Sequence, residues 1–154
     1  MNIKLSENFS LYELVYSDMA RRKNINNEPN EEQIQNLKLI CENILEPVRA
    51  HFNLPVIISS GYRSPEVCLA VGSTIKSQHT KGQAADFEIT GIPNKEVADW
   101  IVNNIEYDQC ILEFWNENEP NSGWVHCSFN SEGNRKQYLK ASKENNKIVY
   151  SPMK

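Results

Sequence analysis

Ile34, Leu37, Cys41, Ile44, Leu45, Val48 and Phe52 succeed one another at helical spacing, three or four positions apart with one adjacent pair, so one apolar stripe runs down a helix of about five turns. A stripe that long must be covered, and the downstream half of the chain supplies the cover. Leu54–Ser60, Ala84–Ile89, Gln109–Phe114 and Trp124–Phe129 are short runs rich in β-branched, aromatic or alternating residues, and each reads as a strand. A helical first half and a strand-rich remainder point to an α+β domain, with helices packed on a small sheet. The 154 residues contain no repeat, low-complexity tract or Gly/Ser/Pro linker, so a single domain over 1–154 is expected.

Local signals fill in the rest. Ser10 and Glu13 have capping-box spacing, and Leu11, Leu14, Val15 and Met19 predict a helix ending near Arg22. Asn24 to Pro29 reads as a loop, and Asn30 with Gln33 caps the long helix, which Pro47 is expected to kink or shorten. Ser64 and Pro65 open a short helix that ends about Val71, before Gly72. Asn94 to Ile105 predicts another helix carrying Val97, Trp100 and Ile101, and the weaker alternation of Lys136 to Tyr150 suits a hairpin at the sheet edge.

Charge and cysteine usage exclude several function classes. Sixteen Lys and Arg against twenty Asp and Glu leave a net charge of −4, without the basic surplus that nucleic-acid binding draws on. No run of 18 apolar residues is present and the mean hydropathy is −0.57, so no stable membrane insertion is expected. The first residues lack an apolar stretch behind a basic end, which leads to the expectation of synthesis in the cytoplasm without a signal peptide. Cys41, Cys68, Cys110 and Cys127 form no Cys-x-x-Cys pair and are expected as buried free thiols.

Of the three histidines, His51 lies near the end of the long helix, where a partly charged imidazole complements the helix dipole. The other two sit in Ser77-Gln-His79-Thr-Lys-Gly-Gln-Ala-Ala-Asp86 and Gly123-Trp-Val-His126. Strand alternation puts Asp86 with Glu88, opposite Ala85, Phe87 and Ile89. It puts His126 with Trp124 and Ser128, and Glu113 with Gln109, opposite Cys110, Leu112 and Phe114. If these strands are neighbours, one sheet face gathers Asp86, Glu113 and His126, with His79 on the preceding loop. Two imidazoles and a carboxylate suit zinc, whose catalytic sites use three protein ligands and leave a position for water. On spacing alone, unrelated polar groups of loops and strands remain the competing explanation.

These two segments, together with Ser59-Ser-Gly-Tyr-Arg63-Ser, resemble the zinc D-alanyl-D-alanine carboxypeptidase family over roughly residues 8 to 130. That family includes VanX- and VanY-type enzymes and phage endolysins that cut peptidoglycan stem peptides, and it belongs to a wider group with lysostaphin-type peptidases and the hedgehog signalling domain. The resemblance implies a small, mainly antiparallel sheet, Zn²⁺ held by His79, Asp86 and His126, and Arg63 on the substrate carbonyl. Well-known members carry their general base three positions before the last ligand, where this chain has Gly123. Glu113 is the preferred replacement because alternation puts it on the ligand face, with Glu88, Glu117 and Glu119 as the other candidates. Ser77 and Tyr62 are expected to contact substrate, Trp124 to line the cleft or pack, and Thr80 to support the ligands or satisfy local backbone groups. Cys68, where similar phage sequences usually have a small polar residue, is expected to pack.

The expected function is therefore that of a zinc metallopeptidase acting on a peptidoglycan stem peptide, as an endopeptidase or a D-Ala-D-Ala carboxypeptidase. For the latter, Arg63, Lys76 or Lys81 could take a terminal carboxylate. A monomeric phage or prophage lysis protein, acting on the wall after release or carried in a virion, is the expected setting. The alternative, prompted by Gly123, is a non-catalytic zinc domain with a structural or wall-binding role in a virion.

Overall fold

The computed structural model describes residues 3–153, so the bounds expected for the domain reach just past them at both ends. Helices α1 (Leu11–Val15) and α2 (Asp18–Lys23) replace the one helix expected between Ser10 and Arg22. Tyr16 and Ser17 are extended, and Ser17 Oγ accepts the Ala20 N–H at 3.1 Å, so a second N-cap restarts the chain as a new helix. The loop after α2 carries Asn27, whose Nδ2 donates to the carbonyls of Val15 (2.7 Å) and Tyr62 (3.1 Å) while its Oδ1 accepts the Ser64 N–H (2.6 Å). That side chain ties the N-terminal helices to the Tyr62–Ser64 loop, and so places Arg63.

Helix α3 (Glu31–Ile40) opens on the reciprocal cap read from the sequence: Asn30 Oδ1 accepts from Gln33 N at 2.9 Å, and Gln33 Oε1 from Asn30 N at 2.7 Å. It runs through a π-helical turn, Cys41–Leu45, into α4 (Glu46–Phe52). Pro47 neither stops nor truncates the helix, because it falls in the first turn of α4, directly after the π turn. The wider turn carries the chain past a residue that has no N–H to give and whose ring would crowd the preceding turn. Leu37, Ile40, Ile44, Leu45 and Val48 are fully buried, each stabilising the fold by about 1.5–3 kcal/mol. His51, in the last turn of α4, stacks on Trp100 with ring centroids 4.5 Å apart.

The stripe packs on a six-stranded sheet made of β1 (Ile57–Ser60), β2 (Ala84–Glu88), β3 (Gln109–Glu113), β4 (Trp124–Ser128), β5 (Gln137–Glu144) and β6 (Lys147–Pro152). The order is β1-β2-β4-β3-β5-β6, antiparallel except where β5 joins β3 in parallel. This is the α+β architecture with a mainly antiparallel sheet that the sequence led us to expect. Ala85, Phe87, Cys110, Leu112, Val125 and Cys127 face the helices as one core. Helix α5 (Pro65–Ala70) stops just short of Val71, and α6 (Asn94–Asn104) joins the core through Val97, Ala98 and Ile101. All four cysteines are buried free thiols. The tail forms the edge hairpin β5–β6, and β1 starts at Ile57 rather than Leu54.

Candidate metal centre and cleft

Asp86 and His126 are direct partners across β2 and β4, so their side chains leave the sheet on the same side, away from the core. Ile111 faces His126 from β3, and Glu113, two residues on, faces Trp124. His79 arrives on a 3₁₀ turn, Gln78–Lys81, immediately before β2. The structure therefore brings together the residues that alternation had placed on one face. One candidate ligand atom from each of His79, Asp86 and His126 lies within 4.8 Å of the others.

Two of the sequence segments interlock to hold His79. Its Nδ1 lies 2.6 Å from the Gly61 carbonyl, and its own carbonyl accepts the Arg63 N–H at 3.1 Å. A carbonyl can only accept, so Nδ1 carries the proton and Nε2 presents a lone pair. Residue 61 has to be glycine: a Cβ there would overlap the Leu14 carbonyl, against which the Tyr62 N–H is bonded at 2.7 Å.

The His79 lone pair faces Asp86 Oδ1 at 3.4 Å, and the same oxygen meets His126 Nδ1 at 2.9 Å. Burial pushes the His79 pKa down, which favours the neutral imidazole. Asp86 stays ionised despite its burial because His126 Nδ1 meets its Oδ1 and the Arg63 guanidinium its Oδ2. The His79 nitrogen, the Asp86 oxygen and the His126 ring thus converge closely enough for one metal ion to be held among them. The donor set, two nitrogens and one oxygen with a buried hydrogen bond orienting His79, fits a divalent transition metal.

Arg63 extends from the loop after β1. Its Nε donates to Ser60 Oγ (2.8 Å) and its Nη2 to Asp86 Oδ2 (3.2 Å), so the guanidinium orients the ligand carboxylate rather than tying down backbone carbonyls. The remaining N–H groups of this mostly buried side chain are available to the cleft it lines. Glu113 is half-buried; burial, then the nearby Asp86 charge, raises its pKa, an effect that the neighbouring His126 offsets in part. The Trp124 indole N–H is buried and makes no hydrogen bond of standard geometry within the protein.

A cleft of about 920 Å³ opens over these groups, lined among others by Arg63, Ser77, His79, Asp86, Glu113 and His126. Lys76 and Trp124 also line it. Tyr62 does not: only 4% exposed, it packs in the hydrophobic core, and the expectation of a substrate contact is corrected. Ser77 Oγ accepts the His79 N–H at 3.2 Å, and the buried Thr80 hydroxyl donates to the Ile75 and Ser77 carbonyls. Cys68 is buried, Lys81 is exposed away from the cleft, and Glu88, Glu117 and Glu119 are exposed outside it.

The structure also adds residues that alternation misplaced. Phe114 does not continue β3 onto the core face: its φ of 56° is left-handed, and its ring turns to within 5.5 Å of Trp124 at the cleft. Gly123, at the position where the resembled family carries an acid, has φ +69° and backs directly onto the Glu113 carbonyl, which leaves no room for a side chain. Farther along, Asp108 is 2% exposed and accepts from Arg135 N (2.8 Å), Nε (3.1 Å) and Nη2 (2.8 Å) and from Gln78 Nε2 (2.9 Å), fastening the segment before β5 beside the His79 turn.

No helix among the described residues is long and apolar enough to cross a membrane. No curated protein matches the chain. The family model described as Peptidase M15 matches residues 7–128, a span that contains α1 through β4, the three candidate ligands, Arg63 and Glu113. With well over half of its length matched, and with the clustered His79, Asp86 and His126 inside the matched span, the chain belongs to the peptidase M15 family.

Proposed function

We propose that this chain is a zinc metallopeptidase that hydrolyses a peptide bond in bacterial peptidoglycan stem peptides, as part of phage or prophage lysis of the cell wall. The observation that carries the reading is the convergence of His79, Asp86 and His126 beside Glu113 on the floor of one open cleft, in a chain of a peptidase family. The wall substrate is supported by the likeness of the Ser59–Ser64, Ser77–Asp86 and Gly123–His126 segments to wall-cutting enzymes.

His79 would hold the metal through Nε2, Asp86 through a carboxylate oxygen and His126 through a ring nitrogen. When bound, zinc supplies Lewis acidity, lowering the pKa of water towards 7 and polarising the scissile carbonyl. Glu113 takes the proton of the attacking water at its carboxylate and returns it to the leaving amine. A raised pKa suits a group that must hold the proton between the two transfers. Arg63 directs its free N–H groups at the carbonyl oxygen as negative charge develops there, while its bond to Asp86 keeps the guanidinium in place beforehand.

Mass spectrometry of purified muropeptides after incubation with zinc-loaded protein tests the reading. Cleavage between the first and second stem residues is the expected result, because weakening a cross-linked polymer calls for an internal cut. Release of alanine alone would instead assign a carboxypeptidase. Intact muropeptides at full zinc loading would overturn the wall-peptidase reading.

A further inference from the structure

The family match ends at Ser128, but the cleft does not. Leu139 on β5 and Ile148 and Tyr150 on β6 line the same cavity as the candidate ligands. They do so because β5 pairs in parallel with β3 and carries the ligand face outward, Ile111 lying opposite Leu139 and Glu113 opposite Ala141, and β6 extends it once more, with Ala141 opposite Tyr150. Trp124, Glu113, Ala141 and Tyr150 thus form one row across β4, β3, β5 and β6, and direct partners project on the same side.

Only the methyl of Ala141 stands between Glu113 and Tyr150. With strands about 4.8 Å apart, β6 lies roughly 10 Å from β3, a gap a tyrosine side chain can largely span when the intervening residue is this small. Tyr150 is 53% exposed, so its ring is not spent on core packing. Its side chain lines the same cleft as Glu113 and Asp86, so the phenol O–H is placed to donate there. Ile148, also on the cleft face of β6, is 51% exposed and makes an apolar shelf next to it.

We propose that Tyr150 is a substrate-contacting residue, its phenol O–H donating to a backbone carbonyl of an extended peptide that crosses the cleft from Arg63 on one side to the β5–β6 hairpin on the other. Ile148 and Leu139 take the aliphatic side chain beside that carbonyl. Two donors on opposite sides, with the metal ligands and Glu113 between them, suit a substrate lying across the strands. This assignment rests on the peptidase reading of the site and adds a binding element outside the matched span.

The test uses the zinc-loaded full chain as wild type, Tyr150→Phe, Tyr150→Ala and Val149→Ala; Val149 alternates onto the opposite face of β6 and serves as the control. Zinc content and circular dichroism establish that all four fold alike. Steady-state hydrolysis of a muramyl pentapeptide should show KM raised roughly three- to tenfold in Tyr150→Phe, as expected for one hydrogen bond, and further in Tyr150→Ala, with kcat little changed in both and Val149→Ala like wild type. Titration with a dipeptide hydroxamate, a metal-chelating probe that seats a peptide tail in the cleft without being cut, should weaken in the same order. Wild-type KM and hydroxamate affinity in both Tyr150 variants would overturn the inference. If wild type leaves the muramyl pentapeptide intact, the wall-substrate reading falls separately, and the hydroxamate titration alone decides the role of Tyr150: weakening upholds it and unchanged affinity overturns it.

Discussion

Replacing Gly123 with alanine tests whether this position could carry the acid that similar enzymes place there. The residue sits at φ +69°, where a Cβ costs about 1–2 kcal/mol for any L-residue. The added methyl would overlap the Glu113 carbonyl oxygen and stand 2.8 Å from the Phe114 carbonyl carbon, and the nearest atoms are all backbone, with no flexible side chain to move aside. The end of β3 must then retreat by roughly 1 Å, and forcing such a shift typically costs another 1–3 kcal/mol. We therefore expect Gly123→Ala to lose about 2–5 kcal/mol, and to lower activity beyond that because Glu113 rides on the displaced backbone. Urea unfolding in the presence of a chelator measures the first effect as a fall in midpoint at constant slope. Stability within about 0.5 kcal/mol of wild type, the ordinary range for an inconsequential substitution, would refute the steric argument. So would a Gly123→Glu protein that folded normally and turned over faster.

Zinc at 100 times its Kd should raise stability by about 2.7 kcal/mol, seen as a higher Tm, and His79→Ala and His126→Ala should abolish the rise; an undiminished shift in either would remove that histidine from the ligand set. Glu113→Gln should retain zinc and fold while losing about 10²–10⁴-fold in rate, and near-normal turnover would transfer proton transfer to another group. Asp108 gives an acid-stability prediction: burial works against its carboxylate, but the Arg135 bonds prevail and lower its pKa from 3.8 to about 2. A depressed native pKa means stability that is present above the unfolded value of 3.8 and is lost as pH falls towards about 2. With Arg135 half-exposed, the contribution is about 1–2 kcal/mol, and Asp108→Asn should flatten this part of the stability curve in acid unfolding.

Much of this molecule was legible from spacing. The 34–52 stripe, the Asn30 cap and the period-2 alternation of β2, β3 and β4 are local properties, and they put Asp86, His126 and Glu113 each on the side of its own strand opposite the apolar residues, because side-chain direction in a strand is set by parity. The Ser17 cap was not read from the sequence, because the apolar stripe from Leu11 to Met19 runs through it as one helix; the extended Tyr16–Ser17 backbone shows that a second helix starts there. Pro47 illustrates the opposite case, since a proline in a helical pattern predicts a kink, whereas the π-helical turn ahead of it keeps Cys41, Ile44 and Leu45 buried.

What the tertiary structure alone decided concerns approach between segments far apart in the chain. No periodicity tells that Tyr62 turns into the core while its neighbour Arg63 turns to Asp86, because that choice is made by Asn27 and by the Leu14 carbonyl pressed against Gly61. Nor does it tell that Gly123 is glycine because Glu113 is behind it, or that Phe114 abandons the strand alternation to meet Trp124. Strand order is of the same kind: alternation assigns each residue a face but not a neighbour, and the parallel addition of β5 to β3 is what carries Leu139, Ile148 and Tyr150 into the cleft. Local sequence thus determined the elements and the direction of their side chains, through φ/ψ preference and apolar period, whereas the contacts that shape the site depend on close packing between those elements.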